Sequence, residues 1–163
     1  MSGDTFLVGN GAGFSGDRVD APIPVVRSLI ARGLPAALFF ETLGERTVAL
    51  AQLERRRDPE LGYEPMLERL LEPILADCVR HRIPILGNFG AANPQAAARC
   101  IARLARRLGL PELKIGVVTG DDVMGSVDLD TLPVHEADAA LDDRCREAGQ
   151  VADHAAAERD NVL

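Results

Sequence analysis

With 163 residues, 47% of them hydrophobic and 26% charged, the chain has the makeup of one globular domain with a sizeable core. Its net charge of −7 and isoelectric point near 4.9 argue against nonspecific binding to nucleic acid or to an anionic membrane. No apolar run approaches about 18 residues, and Met1-Ser2-Gly3-Asp4 carries no basic leader, so a cytoplasmic protein without a membrane or nucleic-acid partner is expected.

The first apolar run, Thr5–Val8, reads as a buried strand, followed by the loop Gly11-Ala12-Gly13-Phe14-Ser15-Gly16-Asp17-Arg18. A short helix is predicted from Pro22 to Arg32, capped by Asp20 and stopped by Gly33. The second strand is Ala36–Phe40, ending at Glu41, with a helix over about Leu43 to Arg56 behind it. Leu67, Leu70, Leu71, Ile74, Leu75 and Cys78 form an apolar stripe at helical spacing, which Pro73 should kink or divide. The third strand is Ile83–Leu86, ending at Asn88. The clearest helix then runs from Pro94 to Leu108, with Asn93 as its N-cap and Gly109 closing it. A fourth strand is predicted over Lys114–Thr119, leading into Gly120-Asp121-Asp122.

Strands alternating with helices imply βαβ units. The expected architecture is therefore α/β, a parallel sheet of about four strands with flanking helices in a Rossmann-like layering. Strand orders 2-1-3-4 and 3-2-1-4 are both open. Residues 1–124 read as this domain and 125–163 as an acidic, alanine-rich tail, where Leu141, Cys145, Ala148 and Ala152 suggest a marginal helix with a frayed end. A sheet lacking its next neighbour exposes an edge, which invites a second copy or a partner subunit. Cys78, Cys100 and Cys145 lack CxxC spacing and read as small buried hydrophobes in a reducing compartment.

In parallel α/β sheets the ligand crevice lies outside the carboxyl ends of the strands. Four segments converge there. The first brings Asn10 with Gly11, Gly13, Ser15, Gly16, Asp17 and Arg18; the second brings Glu41, Glu45 and Arg46. The third brings Asn88, Gly90 and Asn93, and the fourth Thr119, Gly120, Asp121 and Asp122. Each has a purely structural alternative. Glu45 and Arg46 suit a helix's first turn, Asn93 is a natural cap, Asp121-Asp122 a turn, and Asp17-Arg18 an ion pair bracing the loop. Glu41 is harder to explain structurally, because a carboxylate ending an apolar strand needs a partner or water. His81, His135 and His154 have no zinc-ligand spacing, and no Ser-His-Asp set can be assembled around Ser15.

The glycines match GxGxxG, and Glu41 sits where a ribose-binding acid would. Two departures weaken this dinucleotide reading. Asp17-Arg18-Val19-Asp20 delays the helix that should receive the pyrophosphate, and the Gly16-to-Glu41 interval is long. Alternatively, Glu41, Asp121 and Asp122 are hard oxygen ligands suited to magnesium, with Arg18 and Arg46 available to an anionic substrate.

The segments Gly11–Arg18, Glu41-Thr42-Leu43-Gly44-Glu45-Arg46-Thr47, Gly90-Ala91-Ala92-Asn93-Pro94 and Val118-Thr119-Gly120-Asp121-Asp122, with Asp58-Pro59 and Gly62-Tyr63, resemble the acyclic terpene utilisation (AtuA-like) family. The resemblance covers about residues 5–124, with the pattern departing after Val123, as expected of a truncated or N-terminal piece. It implies a bacterial protein associated with catabolism of citronellol- or geraniol-type terpenoids, a family whose biochemical role is poorly defined. The resulting expectation is a domain that binds a small anionic ligand at its strand-end rim. Gly11, Gly13 and Gly16 would supply backbone amides, Arg18 an anion contact, and Glu41 with Asp121 polar or metal contacts. A nicotinamide-dependent oxidoreductase and a non-catalytic subunit docking a partner chain are the alternatives.

Overall fold

In a computed structural model the described residues are 5–122. They form three parallel strands and five helices in the order β1 (Leu7–Ala12), α1 (Pro22–Arg32), β2 (Ala36–Phe40), α2 (Glu45–Arg57), α3 (Leu67–Leu71), α4 (Leu75–Arg80), β3 (Ile85–Gly87) and α5 (Pro94–Arg107). The sheet order is β1-β2-β3. Pairing runs from Leu7↔Ala36 to Ala12↔Phe40 and from Leu38↔Ile85 to Phe40↔Gly87. Pro35 and Pro84 stand just before β2 and β3 and contribute only carbonyls, to Leu7 N–H and Leu38 N–H.

Residues paired across a ladder share a face, and the two faces differ. Leu38 and Phe40 are fully buried on one, in a core with Val26 and Leu29 of α1, Leu67, Leu70 and Leu71 of α3, Cys78 of α4, and Cys100 and Leu104 of α5. On the other, Asn10, Phe39 and Leu86 form one cross-strand row, with Val8 nearby. Among the described residues this row stays open, Val8 being 72% and Leu86 52% exposed. The consecutive strand order accounts for this. Right-handed crossovers stepping one way across a sheet deliver their helices to a single face.

Helix boundaries follow local chemistry. Gly33 ends α1 in the left-handed region at φ 63°, and Pro73 divides the Leu67–Cys78 stripe into α3 and α4. Asn93 caps α5 by accepting the Ala96 N–H at 3.2 Å. Asp20, expected to cap α1, does not: Ala21 is the cap residue with no side-chain bond, and Asp20 pairs with Arg18 instead. Burial pushes the Cys78 thiol up to about 11, so it stays protonated as a small core hydrophobe, and Cys100 is buried too.

Three strand expectations need correction, the mildest being the third strand, which covers Ile85–Gly87 rather than Ile83–Leu86. β1 does not stop at Val8 but continues through Gly9, Asn10 and Gly11 to Ala12. A Cβ on Gly9 would lie 2.6 Å from Val25 Cγ1, and one on Gly11 2.6 Å from the Phe40 ring. The first glycine of the apparent fingerprint is thus a packing residue inside the sheet, and the register shifts between Asn10 and Ala12 around it. The fourth strand over Lys114–Thr119 does not form among the described residues. The run makes no ladder to β3, which is only three residues long, and Val118 is 92% exposed.

The chain divides into two compact units, Met1–Thr119 and Gly120–Leu163. Of the second, only Gly120, Asp121 and Asp122 are described, all exposed. The tail expectations around Leu141, Cys145, Ala148 and Ala152 lie outside the described residues.

Candidate functional site

The carboxyl ends of β1, β2 and β3 carry the polar residues expected there, but in two different states. At the end of β1 the loop satisfies its own polar groups. Asp17 accepts the Gly13 N–H through Oδ2 at 2.9 Å and the Arg18 N–H through Oδ1 at 2.7 Å. Those two amides hold its carboxyl below the usual aspartate range. Arg18 turns away to a forked pair with Asp20, donating from Nε at 3.0 Å and Nη2 at 2.7 Å. Asn10 accepts the Ala12 N–H at 3.3 Å, and Gly16 turns the chain at φ 82°. Ser15 is half-buried beside it and makes no hydrogen bond among the described residues. The amide a phosphate would seek at Gly13 already faces a carboxylate of the same loop.

At the ends of β2 and β3 the arrangement is open. Glu41 Oε1 accepts the Leu43 N–H and Asn88 Nδ2–H, both at 2.8 Å, which lowers its carboxyl below the ordinary glutamate range, Asn88 being the larger cause. Asn88 Oδ1 in turn accepts the Thr42 N–H at 2.7 Å and the Thr42 hydroxyl at 3.2 Å. Thr42 supplies donors and Glu41 an acceptor, so this network fixes the orientation of the Asn88 amide. The residue after β2 and the residue after β3 are thereby tied together. Glu41 Oε2 has no partner among the described residues and the side chain is part-exposed, so one carboxylate oxygen is held in place while the other stays available.

Four residues after Glu41, α2 begins. Its N-cap is Gly44, which has no side chain to cap with. Thr47 Oγ1 accepts the Gly44 N–H at 2.6 Å and donates to the Gly44 carbonyl at 2.7 Å. The first-turn amides of Glu45 and Arg46 receive no side-chain cap and carry the positive end of the helix dipole. Glu45 and Arg46 are both exposed, and Arg46 makes no ion pair among the described residues.

The loop from β3 to α5 closes this region. Asn93 is buried, donating through Nδ2 to the Pro59 and Leu61 carbonyls, both at 2.7 Å, while Oδ1 caps α5. Every polar atom of that side chain is engaged, so Asn93 acts as a clamp between the 59–61 turn and α5. Gly90 lies against Pro94, where a Cβ would come within 2.7 Å. Gly120, Asp121 and Asp122 belong to the second unit. Among the described residues no group of three or more His, Cys, Asp or Glu side chains gathers as metal ligands.

Sequence reasoning missed Glu64. It is 3% exposed, its N–H donates to the Phe89 carbonyl at 2.8 Å, and Oε1 accepts the Met66 N–H at 2.9 Å. Oε2 is buried without a hydrogen-bond partner. The backbone bond ties Glu64 to Phe89, the residue that follows Asn88. A glutamate ahead of Pro65 and a helical stripe reads as an ordinary helix-start acid, so only tertiary contact reveals it.

Comparison with protein families gives a match over residues 6–157 to the model described as acyclic terpene utilisation family protein AtuA. The match runs past Val123, where the sequence pattern alone suggested a departure, and takes in residues expected to form a separate tail. No curated protein and no solved structure matches.

Proposed function

The chain belongs to the acyclic terpene utilisation family AtuA, and from that premise we propose that it binds a small anionic ligand at the carboxyl rim of its sheet, between the ends of β2 and β3. The observation that carries this reading is Glu41, fixed through Oε1 by Asn88 and Leu43, with Oε2 open at the strand end. A pre-positioned carboxylate oxygen accepts a ligand hydroxyl or a bound water. The uncapped first turn of α2 and the Arg46 guanidinium supply the positive counterpart for the ligand's own acid group. The anion contact is assigned here to α2 rather than to the glycine loop, because Asp17 occupies the Gly13 amide and Asp20 occupies Arg18.

The family supplies the metabolic setting, acyclic terpene breakdown; the ligand is a terpenoid acid or its acyl thioester. The nicotinamide alternative finds less support, since Gly11 packs under Phe40 and α1 starts only at Pro22. The subunit alternative rests on a different observation, the open sheet face of Val8, Phe39 and Leu86.

A thermal-shift panel of terpenoid acids, acyl-CoAs and dinucleotides separates these readings. Terpenoid acids or acyl-CoAs should raise the melting temperature of the wild type more than that of Glu41→Ala. Magnesium enters as a separate arm, because Glu41 Oε2 is a hard ligand. Stabilisation by NAD(H), or an unchanged shift in Glu41→Ala, would sink the rim reading.

A further inference from the structure

Away from the rim, the chain leaving α5 walls off a second concavity. Gly109 reverses the backbone at φ 72°, the Leu110 N–H donates to the Ala105 carbonyl at 2.8 Å, and the Leu113 N–H to the Leu110 carbonyl at 3.2 Å. These bonds anchor residues 110–113 on α5, and Lys114–Gly116 then passes alongside the start of β3 without pairing to it. The gap is a groove of about 740 Å³, walled by Leu75, Val79, Ile83, Ile101, Leu110 and Ile115. That volume falls in the range of small-molecule pockets.

The polar groups of the groove are not balanced. Arg82 and Lys114 line it, both exposed and neither in an ion pair among the described residues, against one lining acid, Glu112. Lys114 is also the one lysine of the whole chain. An apolar trough with unpaired cations is complementary to a molecule that is greasy along its length and anionic at one end. A bare aliphatic chain would leave the cations unused, and a short polar anion would leave the apolar walls wet.

We propose that this groove binds a single-chain aliphatic carboxylate, its tail along Leu75, Val79, Ile101 and Ile115 and its head on Arg82 and Lys114. The site is separate from the rim and does not depend on the rim reading. The competing occupant is the chain itself: Lys114–Thr119 closing onto β3 as a fourth strand would fill the same space.

Calorimetric titration of the full chain, below the micelle concentration of each probe, tests this. Decanoate should bind roughly fifteenfold tighter than octanoate, since each of its two extra buried methylenes is worth about fourfold in affinity. Decanol and decyltrimethylammonium should bind at least tenfold more weakly than decanoate. Arg82→Glu with Lys114→Glu should weaken decanoate while leaving decanol unchanged. Val79→Trp fills the groove from a position already 38% exposed, and should abolish binding with the circular dichroism spectrum intact. The proposal is overturned if decanol or the cationic amphiphile matches decanoate, if Val79→Trp binds normally, or if the folded wild type binds no decanoate.

Discussion

The end of β1 and the paired ends of β2 and β3 face the same edge of the sheet, yet they do opposite things with their polar groups. At β1, Asp17 caps Gly13 and Arg18 while Arg18 holds Asp20, so the loop closes on itself. At β2 and β3, Asn88 locks Glu41 by one oxygen and leaves the other unpartnered among the described residues. The first is glycine-rich and looks like a ligand loop; the second has no such glycine pattern. On the proposed reading, readiness for a ligand lies in unsatisfied, pre-oriented groups rather than in glycine spacing.

The sharpest way to break this comparison is to attack the packing that the β1 glycines serve. Phe40 is fully buried against Gly11, and Phe40→Ala should cost about 4 kcal/mol by chemical denaturation. Gly11→Val should cost about 3 kcal/mol by overpacking, and Phe40→Leu in the same chain should recover part of it. Full stability in Gly11→Val would return that glycine to the ligand loop.

At the other strand ends, Asn88→Ala removes the partner of the Thr42 N–H, the Thr42 hydroxyl and Glu41, and leaves buried Thr42 unsatisfied. A loss of about 2 kcal/mol is expected, together with weaker ligand binding. Asp17→Ala, by contrast, should change stability by less than about 0.5 kcal/mol, because its bonds are solvent-exposed. It should also uncover the Gly13 amide, so that weak phosphate binding absent in the wild type appears in an NMR titration. The smallest effect is on pH dependence. The carboxyl of Glu41 titrates lower in the folded chain than in the unfolded one, so its contribution is complete above the ordinary glutamate range. That contribution fades as pH falls through the lowered value. Glu41→Gln should flatten this acid limb of the stability curve.

Much of the fold was legible because it is written in local chemistry. Pro22 and Gly33 bound α1, Asn93 and Pro94 open α5, and Pro73 divides a stripe of leucines. The strand ends were legible as a place, since parallel strands bring Glu41 and Asn88 together, whereas Asn10, expected with them, lies inside β1 opposite Phe39. Three things were not. Gly11 could not be assigned to strand packing without knowing that Phe40 lies across from it. The fourth apolar run has strand composition, but a ladder also needs a neighbouring strand to pair with, and among the described residues the run pairs with none. The division between satisfied and available polar groups depends on contacts such as Asn88 to Glu41, 47 positions apart, to which no local pattern responds.

The most direct measurement is an amide chemical-shift map of the ¹⁵N-labelled chain titrated with a terpenoid acid such as geranate. The account predicts perturbations at Leu43, Glu45, Arg46 and the Asn88 side-chain amide, with Gly13 and Gly16 unmoved. Shifts confined to residues 110–116 would leave the groove standing without the rim. Shifts centred on residues 13–18, with Glu45 and Asn88 silent, would contradict the account.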